Sequence, residues 1–276
     1  MSLRPVILLP IAALLAVLSM LGVVLLFEAN NAPRGEAIRQ VGEAQSDPVA
    51  RLKPNSNVCQ SVATKPAPGE PKHFPAIYTQ QRDVRGMTIV ATDRVSAKAL
   101  DVAEQTIERV FENNNLIEPL AEQGAYVVVA DRTQGVLDLP EFGCLEQELG
   151  PEFFTHVCGV ADRADYPVAT VNELDLIGDR AGPCGGLNVL FHELGHLVQG
   201  WTLEPADYFD VKLFYQAALD AGKYRREYAA TNPNEYFAEG TQAYFLSQAK
   251  DGSLDRKWLQ QYDPDLYELL ARVYGP

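Results

Sequence analysis

Two of the chain's four histidines, His192 and His196, stand four residues apart in the string His192-Glu193-Leu194-Gly195-His196. On an α-helix that spacing puts both imidazoles on one face, within reach of one metal ion. The glutamate between them then lies beside the metal, where its carboxylate can take a proton from a bound water. This is the H-E-x-x-H arrangement of zinc-dependent hydrolysis, a demanding pattern in a chain so poor in histidine. Two imidazoles do not complete a zinc coordination set, so a third protein group must come from elsewhere. The other histidines, His73 and His156, lie upstream. His156, within Phe154-Thr155-His156-Val157-Cys158, reads as a loop or strand residue rather than a ligand. Downstream, Asn232-Pro233-Asn234-Glu235-Tyr236-Phe237-Ala238-Glu239 is the better source. Asn232 is a good N-cap and Pro233 a good first helical residue, so a helix starts there. Glu235 falls at its third position and Glu239 one turn further on the same face, while Tyr236, Phe237 and Phe245 turn to the core. Glu235 has a second reading, as a capping-box glutamate bonding back to the Asn232 amide.

These motifs need helices to carry them, and the surrounding periodicity provides them. Leu187, Leu190, Phe191, Leu194 and Val198 form an apolar stripe through the first motif, after the loosening pair Gly185-Gly186. Helices are expected over 187–199, 206–221, 233–250 and 254–273. Earlier, 87–91 and 125–130 read as strands, 95–111 as a helix, and 167–176 as containing another β-rich run. Strands first and helices later indicate an α+β domain with a small N-terminal sheet followed by the active-site helices. Near the end of the last strand, Asn172 and Glu173 are candidates for lining the cleft. Residues 168–172 are the candidate edge strand for pairing with substrate backbone.

The chain divides into four stretches: a cytoplasmic tip over 1–5, an apolar segment over 6–27, a stalk or strap over 28–85, and the compact domain over 86–276. The segment from Val6 to Phe27 is an uncharged run of 22 residues, long enough to span a bilayer, whereas signal-peptide apolar regions run to about 7–15 residues. After Phe27 the sequence Glu28-Ala29-Asn30-Asn31 has no clear small-x-small cleavage site, which favours a single-pass anchor over a cleaved signal. Arg4 then stays in the cytoplasm, and the domain lies outside it, in the periplasm or on the cell surface. Cleavage would instead make the protein secreted. The stalk carries Pro33, Pro48, Pro54, Pro66, Pro68, Pro71 and Pro75 and reads as extended, with 74–78 packing on the domain. A net charge of −14 argues against a nucleic-acid partner, which requires clustered Lys and Arg. Cys59, Cys144, Cys158 and Cys184 are even in number and lack C-x-x-C spacing. That argues against a cysteine zinc site and suits two disulfides in an oxidising compartment. The expected pairs are Cys144–Cys158, which closes a short loop, and Cys59–Cys184, which ties the stalk to the domain, with four reduced buried thiols as the alternative.

HELGH followed 39 residues later by the glutamate of NEYFAE resembles the catalytic domain of the anthrax-lethal-factor-like zinc metallopeptidases, a gluzincin group that includes secreted Pro-Pro endopeptidases. The close resemblance covers 186–244 and extends less specifically back to about residue 87. It implies a zincin-like fold, one Zn²⁺ ion and a protein or peptide substrate. In that family the first glutamate of E-[FY]-F-A-E is the metal ligand, here Glu235, and the second, here Glu239, supports the site from behind. The family also carries a tyrosine seven residues before the ligand glutamate, here Tyr228, whose phenol donates to the developing oxyanion. The anchor, the stalk and the cysteines are not part of the family pattern.

The expected function is therefore peptide-bond hydrolysis by a membrane-anchored endopeptidase. His192, His196 and Glu235 hold the metal, Glu193 is the base, and Tyr228 steadies the oxyanion. Two rivals stand beside it. One is a zinc-binding pseudoprotease acting as a surface binding module, against which the intact Glu193 argues. The other is a metallohydrolase of cell-wall cross-links. Oligomeric state and cleavage preference leave no signature in the sequence.

Overall fold

The computed structural model describes residues 73–143, 157–161, 166–246 and 254–276. The apolar segment 6–27, the stalk to residue 72, Cys59, Cys144 and His156 lie outside the described residues. Among the described residues, no helix is long and apolar enough to cross a membrane.

Short β-rich runs build a mixed five-stranded sheet. Its strands are β1 (Gln80–Val84), β2 (Met87–Ala91), β3 (Tyr126–Ala130), β4 (Gly159–Val160) and β5 (Val168–Asn172), in the order β1-β2-β3-β5-β4. The β2–β3 and β3–β5 pairs are parallel, while β1 and β4 run antiparallel to their neighbours. Met87, Ile89, Val127, Val129, Ala169 and Val171 face one core. Val90, Tyr126, Val128 and Val168 face a smaller one on the other side. Both faces are covered, which is why the central strands read as almost continuous apolar runs. The sheet starts at Gln80, ahead of the boundary expected at Gly86. Arg85 and Gly86 form the β1–β2 turn with φ of 51° and 88°, the left-handed pair that a two-residue hairpin requires. The preceding strap also packs down. Phe74 meets Tyr126 at 5.1 Å between ring centroids, and the phenols of Tyr78 and Tyr126 donate to the buried Glu141 carboxylate at 2.5 and 2.8 Å.

Helices α1 (Ala97–Phe111) and α2 (Ile117–Glu122) cross over between β2 and β3. α1 begins at Ala97 because the Ser96 side chain accepts from the Ala99 amide and caps it. The run expected over 167–176 divides at Asn172, whose Oδ1 accepts from the Leu174 amide and opens the short α3 (Glu173–Leu176). This geometry overturns two expectations. β5 is an interior strand, paired on both sides, and the edge beyond it is β4. Glu173 does not line a cleft: fully buried, it accepts from the Ser96 amide and from both the amide and Nε of Arg132 at 3.0–3.1 Å. It thereby pins together the exits of β2, β3 and β5.

Burial opposes the charge on Glu173, but these bonds outweigh it and hold the carboxyl below its ordinary value. A depressed folded value makes the stabilisation complete at neutral pH and lost as the pH falls through that value. Glu173→Ala strands the Ser96 and Arg132 donors and is expected to destabilise the fold by about 1–3 kcal/mol. Urea unfolding at pH 7 measures this, and a midpoint equal to the wild type's would refute it.

The remaining helices are α4 (Leu190–Trp201), α5 (Pro205–Asp220), α6 (Pro233–Phe245), α7 (Arg256–Tyr262) and α8 (Pro264–Tyr274). The single helix expected over 254–273 is two, because Pro264 has no amide hydrogen to continue α7 and instead starts α8. The buried Asp263 at the break accepts from the Tyr236 hydroxyl at 2.8 Å and from Lys223 at 3.1 Å, and so ties the C-terminal pair to α6.

Candidate metal centre

α4 lies against β5, α1 and α6, buried from Leu190 to Gln199. Its crossing with α6 is close because residue 195 is glycine. A Cβ there would lie 3.0 Å from the Ala238 Cα and 3.1 Å from the Thr241 Cβ. That approach brings the carboxylates of α6 to the histidines of α4. α6 is started by Asn232, whose Oδ1 accepts from the amides of Asn234 and Glu235 at 2.8 and 2.9 Å. Half of a capping box is therefore present, but the Glu235 carboxylate turns to the histidines.

His192 Nε2 and His196 Nε2 stand 3.0 Å apart. Glu235 Oε2 lies 3.1 Å from the first and 3.4 Å from the second. These three buried groups offer ligand atoms that all lie within 4.8 Å of one another. Although so close to both imidazoles, the Glu235 Oε2 atom has no hydrogen-bond partner. A buried carboxylate oxygen without a partner is costly, and a cation shared with the two imidazole nitrogens would satisfy it. Two neutral nitrogens and one carboxylate converging on a point are the donor set that Zn²⁺ takes. The residues fit the metal.

Glu239 lies on the far side of His192, with Oε1 3.1 Å from Nδ1. It holds the ring by its other nitrogen and leaves Nε2 free to face inward. With protein groups alone, burial opposes a charge on His192, yet the nearby carboxylates of Glu235 and Glu239 prevail and raise its affinity for a proton. Burial also opposes the charge on Glu235, and the two imidazoles lower its carboxyl all the same. Tyr228 starts a 3₁₀ turn (Tyr228–Ala230) packed on α6, its ring 6.1 Å from that of His192. The Tyr215 hydroxyl of α5 donates to the Ala230 carbonyl at 2.8 Å and holds the turn. The structure thus gathers His192, Glu193, His196, Tyr228, Glu235 and Glu239 in one place.

The family described as "Anthrax toxin lethal factor, N- and C-terminal domain" matches residues 79–273 of the chain. The chain belongs to that family. The family is one of zinc metalloproteases, and the match begins at the edge of β1 and ends in α8, so it spans every element that positions the centre. Among curated proteins, no match to the chain is found.

Two features of this lethal-factor-family centre escaped sequence reasoning. Glu227, directly before Tyr228, has its carboxyl raised by burial and then by the charge of Glu239; its adjacency to Tyr228 was the available signal. Gly159 of β4 sits against Glu193, and a strand of two residues gives no periodicity to detect. The disulfide pairing also differs from expectation. Cys158 is bonded to Cys184, with Cα atoms 5.6 Å apart, so neither Cys144–Cys158 nor Cys59–Cys184 forms. The short-loop argument failed because pairing of β4 with β5 carries Cys158 to the turn ahead of α4. That turn is held by Asp175, a fully buried carboxylate that accepts from the amides of Cys184 and Gly186 at 2.8–3.1 Å.

Proposed function

We propose that this chain is a zinc-dependent endopeptidase, held to a membrane by its N-terminal segment with its catalytic domain outside the cytoplasm. The convergence of His192 Nε2, His196 Nε2 and Glu235 Oε2 beside Glu193 carries the catalytic part of this reading. The 22-residue apolar run and its charge asymmetry support the membrane part.

When bound by the three ligands, one Zn²⁺ ion supplies Lewis acidity that polarises a peptide carbonyl and brings the pKa of water toward about 7. The remaining work falls to side chains of this chain. Glu193, one position along α4 from His192, accepts the proton of the attacking water and passes it to the leaving amine. Glu239 keeps the His192 ring in one orientation through Nδ1. Tyr228 donates its phenolic hydrogen to the carbonyl oxygen as that oxygen gains charge. Closure of α4 on β5 and burial of both imidazoles exclude bulk water, which strengthens each of these interactions.

Metal analysis of purified protein with cleavage profiling on a peptide library tests the proposal. One zinc per chain and cleavage of internal peptide bonds are the expected results. Stoichiometric zinc with no cleavage would point to a binding module, and cleavage confined to cell-wall cross-links to a different hydrolase. Tyr228→Phe removes a hydroxyl that acts only as charge develops. It should lower kcat by about 10²–10³-fold with little change in KM. A Tyr228→Phe protein with an unaltered kcat would remove Tyr228 from the chemistry.

A further inference from the structure

β4 consists of Gly159 and Val160 only, joined to β5 through the pairs Gly159↔Val171 and Val160↔Thr170. Two ladder pairs offer little to offset the entropy of ordering a strand. Yet its backbone stands directly on the catalytic carboxylate. A Cβ added at Gly159 would lie 2.6 Å from Glu193 Oε1, 3.0 Å from Glu193 Cδ and 2.8 Å from the Thr170 carbonyl oxygen. No other residue type could keep the strand and the carboxylate where they are.

The next residue back is Cys158, bonded to Cys184. Cys184 is itself fixed, because its amide and that of Gly186 are bonded to the buried Asp175. A continuous path of bonds and contacts therefore runs from Asp175, in α3 just past the end of β5, through Cys184 and Cys158 to Gly159 and the Glu193 carboxylate. We propose that the Cys158–Cys184 disulfide clamps the two-residue strand β4 over Glu193, making the disulfide and Gly159 positioning elements for the catalytic base. The proposal rests on Glu193 being that base in the peptidase reading above. The disulfide acts by restricting where β4 can go, and Gly159 by letting the strand approach without a side chain between.

Two variants of the full chain, both zinc-loaded, test it. In Cys158→Ala/Cys184→Ala the amides of 159–161 should lose hydrogen-exchange protection by at least about tenfold, while those of α4 keep theirs. The zinc content should stay at one per chain. kcat should fall by about 10- to 100-fold, as for a misplaced catalytic group, with a smaller change in KM. Gly159→Ala leaves the disulfide in place and pushes on Glu193 directly, so it should lower kcat over the same range with zinc retained. Unchanged protection of 159–161 in the double variant overturns the clamp, as does a wild-type kcat in Gly159→Ala. If the double variant fails to fold, Gly159→Ala still decides the positioning role. If the wild-type protein cleaves no peptide, the peptidase reading fails, while the exchange measurement still decides whether the disulfide holds the strand.

Discussion

Glu193→Gln is expected to give a folded, zinc-loaded protein whose kcat has fallen by about 10²–10⁴-fold, the contribution typical of a positioned general base. The amide has nearly the shape of the carboxylate, so the packing of Gly159 against it and the three metal ligands are undisturbed. What is lost is the ability to accept a proton. In barrier terms the loss is about 3–5 kcal/mol, with little effect on KM, because a proton transferred only during the reaction does not help to bind substrate. Side-by-side measurement of zinc content, thermal midpoint and kcat separates this outcome from misfolding or metal loss. A Glu193→Gln protein that carries zinc and cleaves at the wild-type rate would remove the base from the scheme.

The second large effect concerns the ligands. His192→Ala and His196→Ala each take away one of two imidazole nitrogens that stand 3.0 Å apart, and both should abolish stoichiometric zinc binding and activity together. Glu235→Ala should weaken zinc retention strongly, since Oε2 is the third donor. Glu239→Ala acts through Nδ1 of His192 and should be milder, in the range of about 10- to 100-fold in affinity or activity. Ligand binding also stabilises the fold. At a free zinc concentration a thousandfold above Kd the gain is about 4 kcal/mol, so a chelator should lower the thermal midpoint of the wild type and leave that of His196→Ala unchanged. Competition against a zinc indicator dye gives the affinities directly. If Glu239→Ala strips the ion and Glu235→Ala does not, the ligand assignment moves one helical turn along α6, and the metallopeptidase reading survives.

Local sequence carried much of this centre. The four-residue spacing of His192 and His196 means one helical face wherever the helix goes, and Asn232 with Pro233 starts α6 by hydrogen bonds that span three residues. The β-rich apolar runs of β2 and β3 were equally legible, because β-branched residues favour strands. Resemblance to a family added Tyr228 and Glu239, whose roles no spacing alone would give.

Other features depend on contacts between residues far apart in the chain, and local patterns do not encode them. Glu235 had two uses open to it in the sequence. Only the close crossing permitted by Gly195, against Ala238 and Thr241, turns its carboxylate to the imidazoles. The same holds for Glu173, which the sequence placed near a cleft and the fold buries under Ser96 and Arg132. Four cysteines allow three connectivities, and loop length favoured the wrong partner for Cys158. The antiparallel pairing of β4 with β5 chose Cys184 instead. β4 itself, two residues long, carries no periodicity and is defined only by its pairing with β5. The sequence by itself therefore determined which groups could do the chemistry, since helical spacing and capping are short-range. The tertiary structure decided which carboxylate meets the metal, which cysteines join and what lies over the base, since those follow from packing between elements that are distant in sequence.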